Sequence, residues 1–154
     1  MRLQISTRLA IFAILELTKR ENRQLSVADI SEKYKVSSHH LAKVMHVMGR
    51  AGLVRSVRGA GGGYRFVGNA RRTTLLDVVQ LFEDLSPVEQ GTGAVDATPE
   101  GQTLRAVLGE IDDIARATLG SITIATMRKL LDLRDPSGGR RSNASARSRS
   151  HRPL

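Results

Sequence analysis

Residues 26–52 read Ser26-Val27-Ala28-Asp29-Ile30-Ser31-Glu32-Lys33-Tyr34-Lys35-Val36-Ser37-Ser38-His39-His40-Leu41-Ala42-Lys43-Val44-Met45-His46-Val47-Met48-Gly49-Arg50-Ala51-Gly52, and the fold turns on them. Ser26 can cap a helix, and Asp29 three residues later can reach back to it, a capping-box start. Ala28, Ile30 and Val36 supply inward apolar groups. The helix must end near Tyr34, because Val36-Ser37-Ser38 opens another with Ser37 as its N-cap. From Ser38 to Ala51, Leu41, Val44, Met45 and Met48 recur at three- and four-residue steps, and Gly52 ends the run. The opposite face carries His39, His40, Lys43 and Arg50. Two short helices joined by a tight turn, the second basic outside, describe a helix-turn-helix at about 28–51.

The next fifteen residues or so narrow the pattern. Leu53-Val54-Arg55-Ser56-Val57 alternates as a strand does, and so does Tyr64-Arg65-Phe66-Val67. Between them Arg58-Gly59-Ala60-Gly61-Gly62-Gly63 is a turn. This hairpin, at about 53–67, makes a winged helix. Glycines such as Gly59 let the wing's backbone approach a groove wall, and Arg58 can enter a narrow, electronegative minor groove. A phosphate-binding loop does not fit the same glycines, since no Lys-Ser/Thr closes the run and no strand-loop-helix unit comes after it.

Outward from this centre, Thr7 to Lys19 reads as a helix apolar nearly all round, hence buried, often with one side against another chain. Leu75 to Leu85 reads as a short helix with Leu76, Val79 and Phe82 inward, and Pro87 to Glu100 as a loop. Gln102 to Leu119 is the longest helix, striped by Leu104, Val107, Leu108, Ile111, Ile114, Ala115 and Leu119; Ile122 to Leu133 closes the fold. With few residues to cover it, the stripe is read as a seam between two copies. The expected class is mainly α with a small β-hairpin wing: a winged helix-turn-helix region at 1–72, connecting and dimerisation helices at 73–135, and a disordered basic tail at 136–154. The tail's Ser, Arg and Gly cannot bury enough surface to offset their ordering entropy.

Composition agrees. The 154 residues carry a formal charge of +9 and no cysteine. Residues 1–72 hold 14 Lys or Arg against Glu16, Glu21, Asp29 and Glu32, residues 73–135 hold five against 11 acids, and residues 136–154 hold five arginines and no acid. A basic N-terminal half beside an acidic middle suits a polyanion-binding surface with a separate scaffold. Lack of cysteine excludes disulfides, thiolate metal sites and a cysteine nucleophile. No run approaches a membrane span and no signal-peptide layout opens the chain, so the expected compartment is the cytoplasm.

Val36-Ser37-Ser38-His39-His40-Leu41-Ala42-Lys43-Val44, Gly52-Leu53-Val54, Val57-Arg58-Gly59 with Gly62-Gly63-Tyr64, Asp77-Val78-Val79 and Leu85-Ser86-Pro87-Val88 together resemble the Rrf2 family of bacterial winged-helix regulators over roughly residues 1–131. The Ser-x-His-His-Leu-x-Lys-Val block is most similar to the nitric-oxide-sensing NsrR branch, beside the iron–sulfur regulator IscR. The resemblance implies a homodimeric transcription regulator, a repressor by expectation, on a palindromic operator of double-stranded DNA. Half-sites would lie about 10 base pairs apart or a multiple of that. By position, Ser38, His39, His40 and Lys43 would face DNA from the helix, and Arg58, Gly59 and Arg65 from the wing. Relatives hold an iron–sulfur cluster with three cysteines whose positions fall here on Gln90, Val95 and Gly101. A further aspartate ligand of the NsrR branch falls within Thr7-Arg8-Leu9, where Arg8 replaces it. None of these can bind iron as a thiolate or carboxylate does. A cluster-free member, without cofactor or metal, is therefore expected.

Rival chemistries find less support. His39 and His46 are seven residues apart, about 10 Å along a helix, too far to share a metal. Glu110, Asp112 and Asp113 occupy different helical directions, with no nucleophile–base pair or cofactor fingerprint, so no enzyme is expected. A winged-helix adaptor that contacts protein instead of DNA is the alternative. Steep salt dependence of DNA binding separates the two.

Overall fold

The computed structural model describes residues 2–85 and 94–135. In chain order they form α1 (Ile5–Leu17), β1 (Gln24–Leu25), α2 (Val27–Tyr34), α3 (Ser38–Arg50), β2 (Val54–Val57), β3 (Gly63–Phe66), α4 (Leu75–Val79), α5 (Pro99–Ser121) and α6 (Ile124–Arg134). The architecture is mainly helical with a small antiparallel sheet, a winged helix-turn-helix followed by a long helix. The expected tail at 136–154 lies outside the described residues, as do 87–93 of the expected loop.

α1 is the central post. Leu9, Ala10, Ala13, Ile14 and Leu17 are almost wholly withdrawn from solvent, as a helix with apolar residues on every side requires. Its neighbours are α3, α4, α6 and β3. Burial of this helix is thus achieved inside one chain, without the second copy that its composition suggested. Leu41, Val44, Met45 and Met48 of α3, Ile30 of α2, Val54 of β2, Val78 of α4 and Ile124 of α6 complete the same core.

The sheet has the order β1-β3-β2, so β3 is central. Gln24 and Leu25 pair with Arg65 and Tyr64, while Val54, Arg55, Ser56 and Val57 pair with Phe66, Arg65, Tyr64 and Gly63. The hairpin expected from the sequence is present, and β1 adds a third strand. Gly63 permits this addition: a Cβ on it would lie 2.4 Å from the Leu25 carbonyl oxygen.

α1 starts and ends two residues earlier than Thr7 and Lys19, α6 starts two residues later than Ile122, and α4 and α5 differ more. α4 stops at Val79 and does not reach Leu85. Beyond it Leu81 N and Phe82 N donate to the carbonyls of Val78 and Val79, only three residues back, and Glu83 is drawn to the start of α1, accepting from Gln4 N (2.7 Å) and the Thr7 hydroxyl. Val78, not Leu76, is the residue of this helix buried with Val79. α5 starts earlier than Gln102: Thr98 accepts from Gly101 N at 3.1 Å and Pro99 occupies the first turn, the position where a missing N–H costs nothing. A bridge between Thr74 and Thr123 closes the C-terminal helices onto α4.

Candidate nucleic-acid interface

The helix-turn-helix is built by local chemistry. Ser26 and Asp29 exchange both bonds of a capping box, at 3.0 Å and 2.9 Å. α2 ends at Lys35 in the left-handed conformation (φ 54°), and Val36 N then donates to Ser31 O, turning the chain at once into α3. Ser37 caps α3 by accepting from His40 N.

On α3, about 100° per residue puts Leu41, Val44, Met45 and Met48 on the buried side. The diametrically opposite line is His39, Lys43, His46 and Arg50, all exposed or partly so, on a helix with no acid anywhere in its 13 residues. Ser38 and His40 flank this line and are engaged by neighbours. Ser38 Oγ lies 2.8 Å from Ser31 Oγ of α2, and His40 Nε2 lies 2.9 Å from Ser6 Oγ of α1. So of the expected helix contacts, His39 and Lys43 share the outward line, while Ser38 and His40 are tied to the scaffold on either side. His46 and Arg50 complete the line. The step of four, three and four from His39 was the sequence signal for it.

The wing tip is a tight glycine turn. Gly59 and Gly61 adopt φ of 107° and 73°, which L side chains rarely adopt, and Gly62 N bonds Gly59 O at 2.9 Å. Arg58 and Gly59 are exposed at this tip. Arg65 is elsewhere: half-buried, mid-strand in β3, away from the tip. Between the end of α3 and the wing lies a cleft of about 430 Å³ lined by His46, Arg50, Arg55, Ser56 and Tyr64 among others.

Glu16 anchors this head to the post. Its carboxylate is almost buried at the end of α1 and meets Lys33, the Tyr34 hydroxyl (3.0 Å), Lys19 (3.2 Å) and Arg23 (4.0 Å). Burial alone would raise its pKa, but the donated bonds from Lys33, Lys19 and Tyr34 outweigh it and hold the carboxyl below its ordinary value. The same burial, with the adjacent negative charge, pushes Tyr34 up to about 12. Phe12 stacks on Tyr34 at 5.1 Å. Four of the cations in the basic half are thus placed with reference to α1 or α2 and not to the outward line: Lys33, Lys19 and Arg23 by pairing, and Lys35 by its turn.

The residues present do not fit an iron–sulfur cluster. Val95 is 77% exposed, and Gly101 sits where any Cβ would lie 2.4 Å from the Val95 carbonyl oxygen. Gln90 falls outside the described residues. Arg8 is an exposed cation on α1. Among the described residues no group of three or more His, Cys, Asp or Glu could hold a metal ion, and the whole chain has no cysteine. No described helix is long and apolar enough to cross a membrane.

Comparison with known proteins agrees with this architecture. A family model described as "Rrf2: Iron-dependent Transcriptional regulator" matches residues 3–129. BadM of Rhodopseudomonas palustris (strain ATCC BAA-98 / CGA009), named as an HTH-type transcriptional regulator, is 45% identical over 152 residues, covering 95% of this chain and 97% of that protein. Among solved structures, the global cysteine regulator CymR of B. subtilis superposes with a TM-score of 0.72 at 26% identity, covering 84% of this chain and 98% of CymR. IscR of T. potens gives 0.66 at 26% identity over 88% and 91%. A chain with no cysteine therefore sits in a family described as iron-dependent. These likenesses are to transcriptional regulators: the chain belongs to the Rrf2 family of winged helix-turn-helix transcriptional regulators.

Proposed function

We propose that the chain acts as a homodimeric repressor that reads a two-fold operator in double-stranded DNA, most similar in its reading helix to the NsrR branch but independent of an iron–sulfur cluster. The observation carrying this reading is the line His39, Lys43, His46 and Arg50 on α3, turned away from the core and opposed by no acid on that helix. A helix about 10 Å wide with Lys43 and Arg50 on its outer line suits the major groove. In this reading His39 and Lys43 meet base edges or nearby phosphates. Ser38 and His40 border the contact and set the helix in place. Arg58 enters the flanking minor groove, with Gly59 allowing the close approach.

The second copy is supported by α5. None of its 23 residues is buried, and Leu104, Val107, Leu108, Ile111 and Ile114 stand 45–67% exposed along one stripe, with Ala115 half-covered beside them. A helix roughly 35 Å long with an uncovered aliphatic stripe suits an isologous seam. Residues 1–72 then form the reading head and 73–135 the pairing scaffold. Repression needs nothing more than occupancy of the operator.

Selection of bound duplexes from a random-sequence pool tests the reading. The expected result is a two-fold motif with half-sites about 10 base pairs apart or a multiple of that. A strictly monomeric protein that enriches no sequence and ignores duplex DNA at low salt overturns it in favour of a protein-binding adaptor.

A further inference from the structure

Arg65 occupies the middle strand of the sheet, so it has a register neighbour on each side: Gln24 of β1 and Arg55 of β2. Tyr64 and Phe66 pack against the core. Strand alternation therefore turns Arg65 to the outer face, and its register partners share that face. One row across all three strands presents an amide and two guanidiniums.

That row is unbalanced. Among the described residues neither Arg55 nor Arg65 has a carboxylate partner. Arg65 Nε is also the one buried side-chain nitrogen or oxygen without a hydrogen-bond partner among those residues. Like charges directly opposite in a sheet destabilise it, and a buried donor left unpaired costs more than an exposed one. An oxyanion accepting from the outer nitrogens of both guanidiniums offsets the repulsion between them, while the buried Nε holds its place behind them. Neighbouring strands are about 4.8 Å apart, close enough for two forked donors to share one phosphate.

We infer that Arg55 and Arg65, with Gln24 beside them, clamp a single phosphodiester of duplex DNA on the backbone bordering the groove that the wing tip enters. This rests on the DNA-binding reading above and adds a phosphate site on the sheet face, apart from the reading helix and the tip. Position selects DNA over a free anion. Arg58 lies three residues beyond Arg55, about 10 Å along the strand direction, while the minor groove is about 6 Å wide. With Arg58 in the groove, the row meets the wall of that groove.

The experiment measures affinity against salt for a duplex recovered by selection and for an unselected random duplex, with the full chain and with Arg55→Gln, Arg65→Gln and the double variant. A shared phosphate makes each single variant about tenfold weaker on both duplexes, makes the logarithmic salt slope about one unit shallower, and leaves the double variant close to either single one. Arg65→Lys, which keeps the charge without the fork, guards against a folding defect. It should retain most of the slope and lose part of the affinity. Additive losses with a slope two units shallower mean separate contacts and overturn the clamp. Unchanged affinity and slope, while the wild-type chain still enriches a two-fold motif, overturn the clamp and leave the DNA reading standing. Thermal stabilisation by inorganic phosphate that the variants lose, with an unchanged DNA slope, moves the site to a free anion and overturns it as well.

Discussion

Ser6 Oγ and His40 Nε2 lie 2.9 Å apart, so the first turn of α3 is fastened to the first turn of α1. With Ser38 held by Ser31 on the other flank, the rotation of α3 about its own axis is set from both sides. The outward line of His39, Lys43, His46 and Arg50 takes its direction from these two fastenings.

Ser6→Ala and His40→Ala should therefore behave alike. Each is expected to lower stability by about 1 kcal/mol and to weaken DNA binding a few-fold without altering its salt slope. Paired denaturant titrations and binding isotherms check this. A His40→Ala loss far exceeding that of Ser6→Ala would instead assign His40 a direct contact.

Lys43 and Arg58 are exposed and unpaired among the described residues, so their removal should spare the fold. Lys43→Ala is expected to weaken binding on all sequences and to flatten the salt slope by about one unit if Lys43 meets phosphate. Arg58→Ala should cost most where the flank of the operator is A·T-rich, because a narrow minor groove concentrates negative potential. Isotherms at several salt concentrations on two flank sequences separate the effects.

Glu16 gives the pH dependence. Its folded pKa lies below the ordinary 4.5, so the stability it contributes is complete above the unfolded value and is lost as pH falls through the folded one. Glu16→Gln is expected to cost about 1–3 kcal/mol at neutral pH, with three cations left around a neutral amide. The unfolding free energies of the two proteins should converge as pH falls from neutrality to below the ordinary 4.5. Urea titrations across that range check the sign. A gap that widened on acidification would contradict it.

Ile111→Glu on α5 should leave the helical content unchanged, because Ile111 is 55% exposed within one chain. If α5 is the seam, the charge raises the dimer dissociation constant by roughly a hundredfold or more and abolishes tight operator binding. Sedimentation equilibrium beside a binding assay measures both.

How much could be read along the chain depends on how local each determinant is. The α2–α3 unit was legible because Ser26, Asp29 and Ser37 cap helices within three residues of themselves, and Leu41 to Met48 repeat at a helical step. The wing was legible from its glycines. β1 was not, since a two-residue strand has no pattern of its own and exists only through its pairing with Tyr64 and Arg65. The end of α4 depended on Glu83 reaching residues 76 and 79 positions earlier. At the interface, the outward direction of His39 and Lys43 came from periodicity. The engagement of Ser38 and His40 depended on side chains from two other helices, which spacing alone does not reveal. Arg65 shows the same limit: its residue type suggests a contact, but only the strand order makes it central.

The first turn of α5, at Gly101, limits what a substitution there could add. Because the Val95 carbonyl oxygen occupies the space a side chain there would need, introducing a thiol at that one codon would distort the capped start of α5 before it could bind anything. Building a metal site there would require the segment's path to be redrawn together with several new ligands, so no single replacement supplies one.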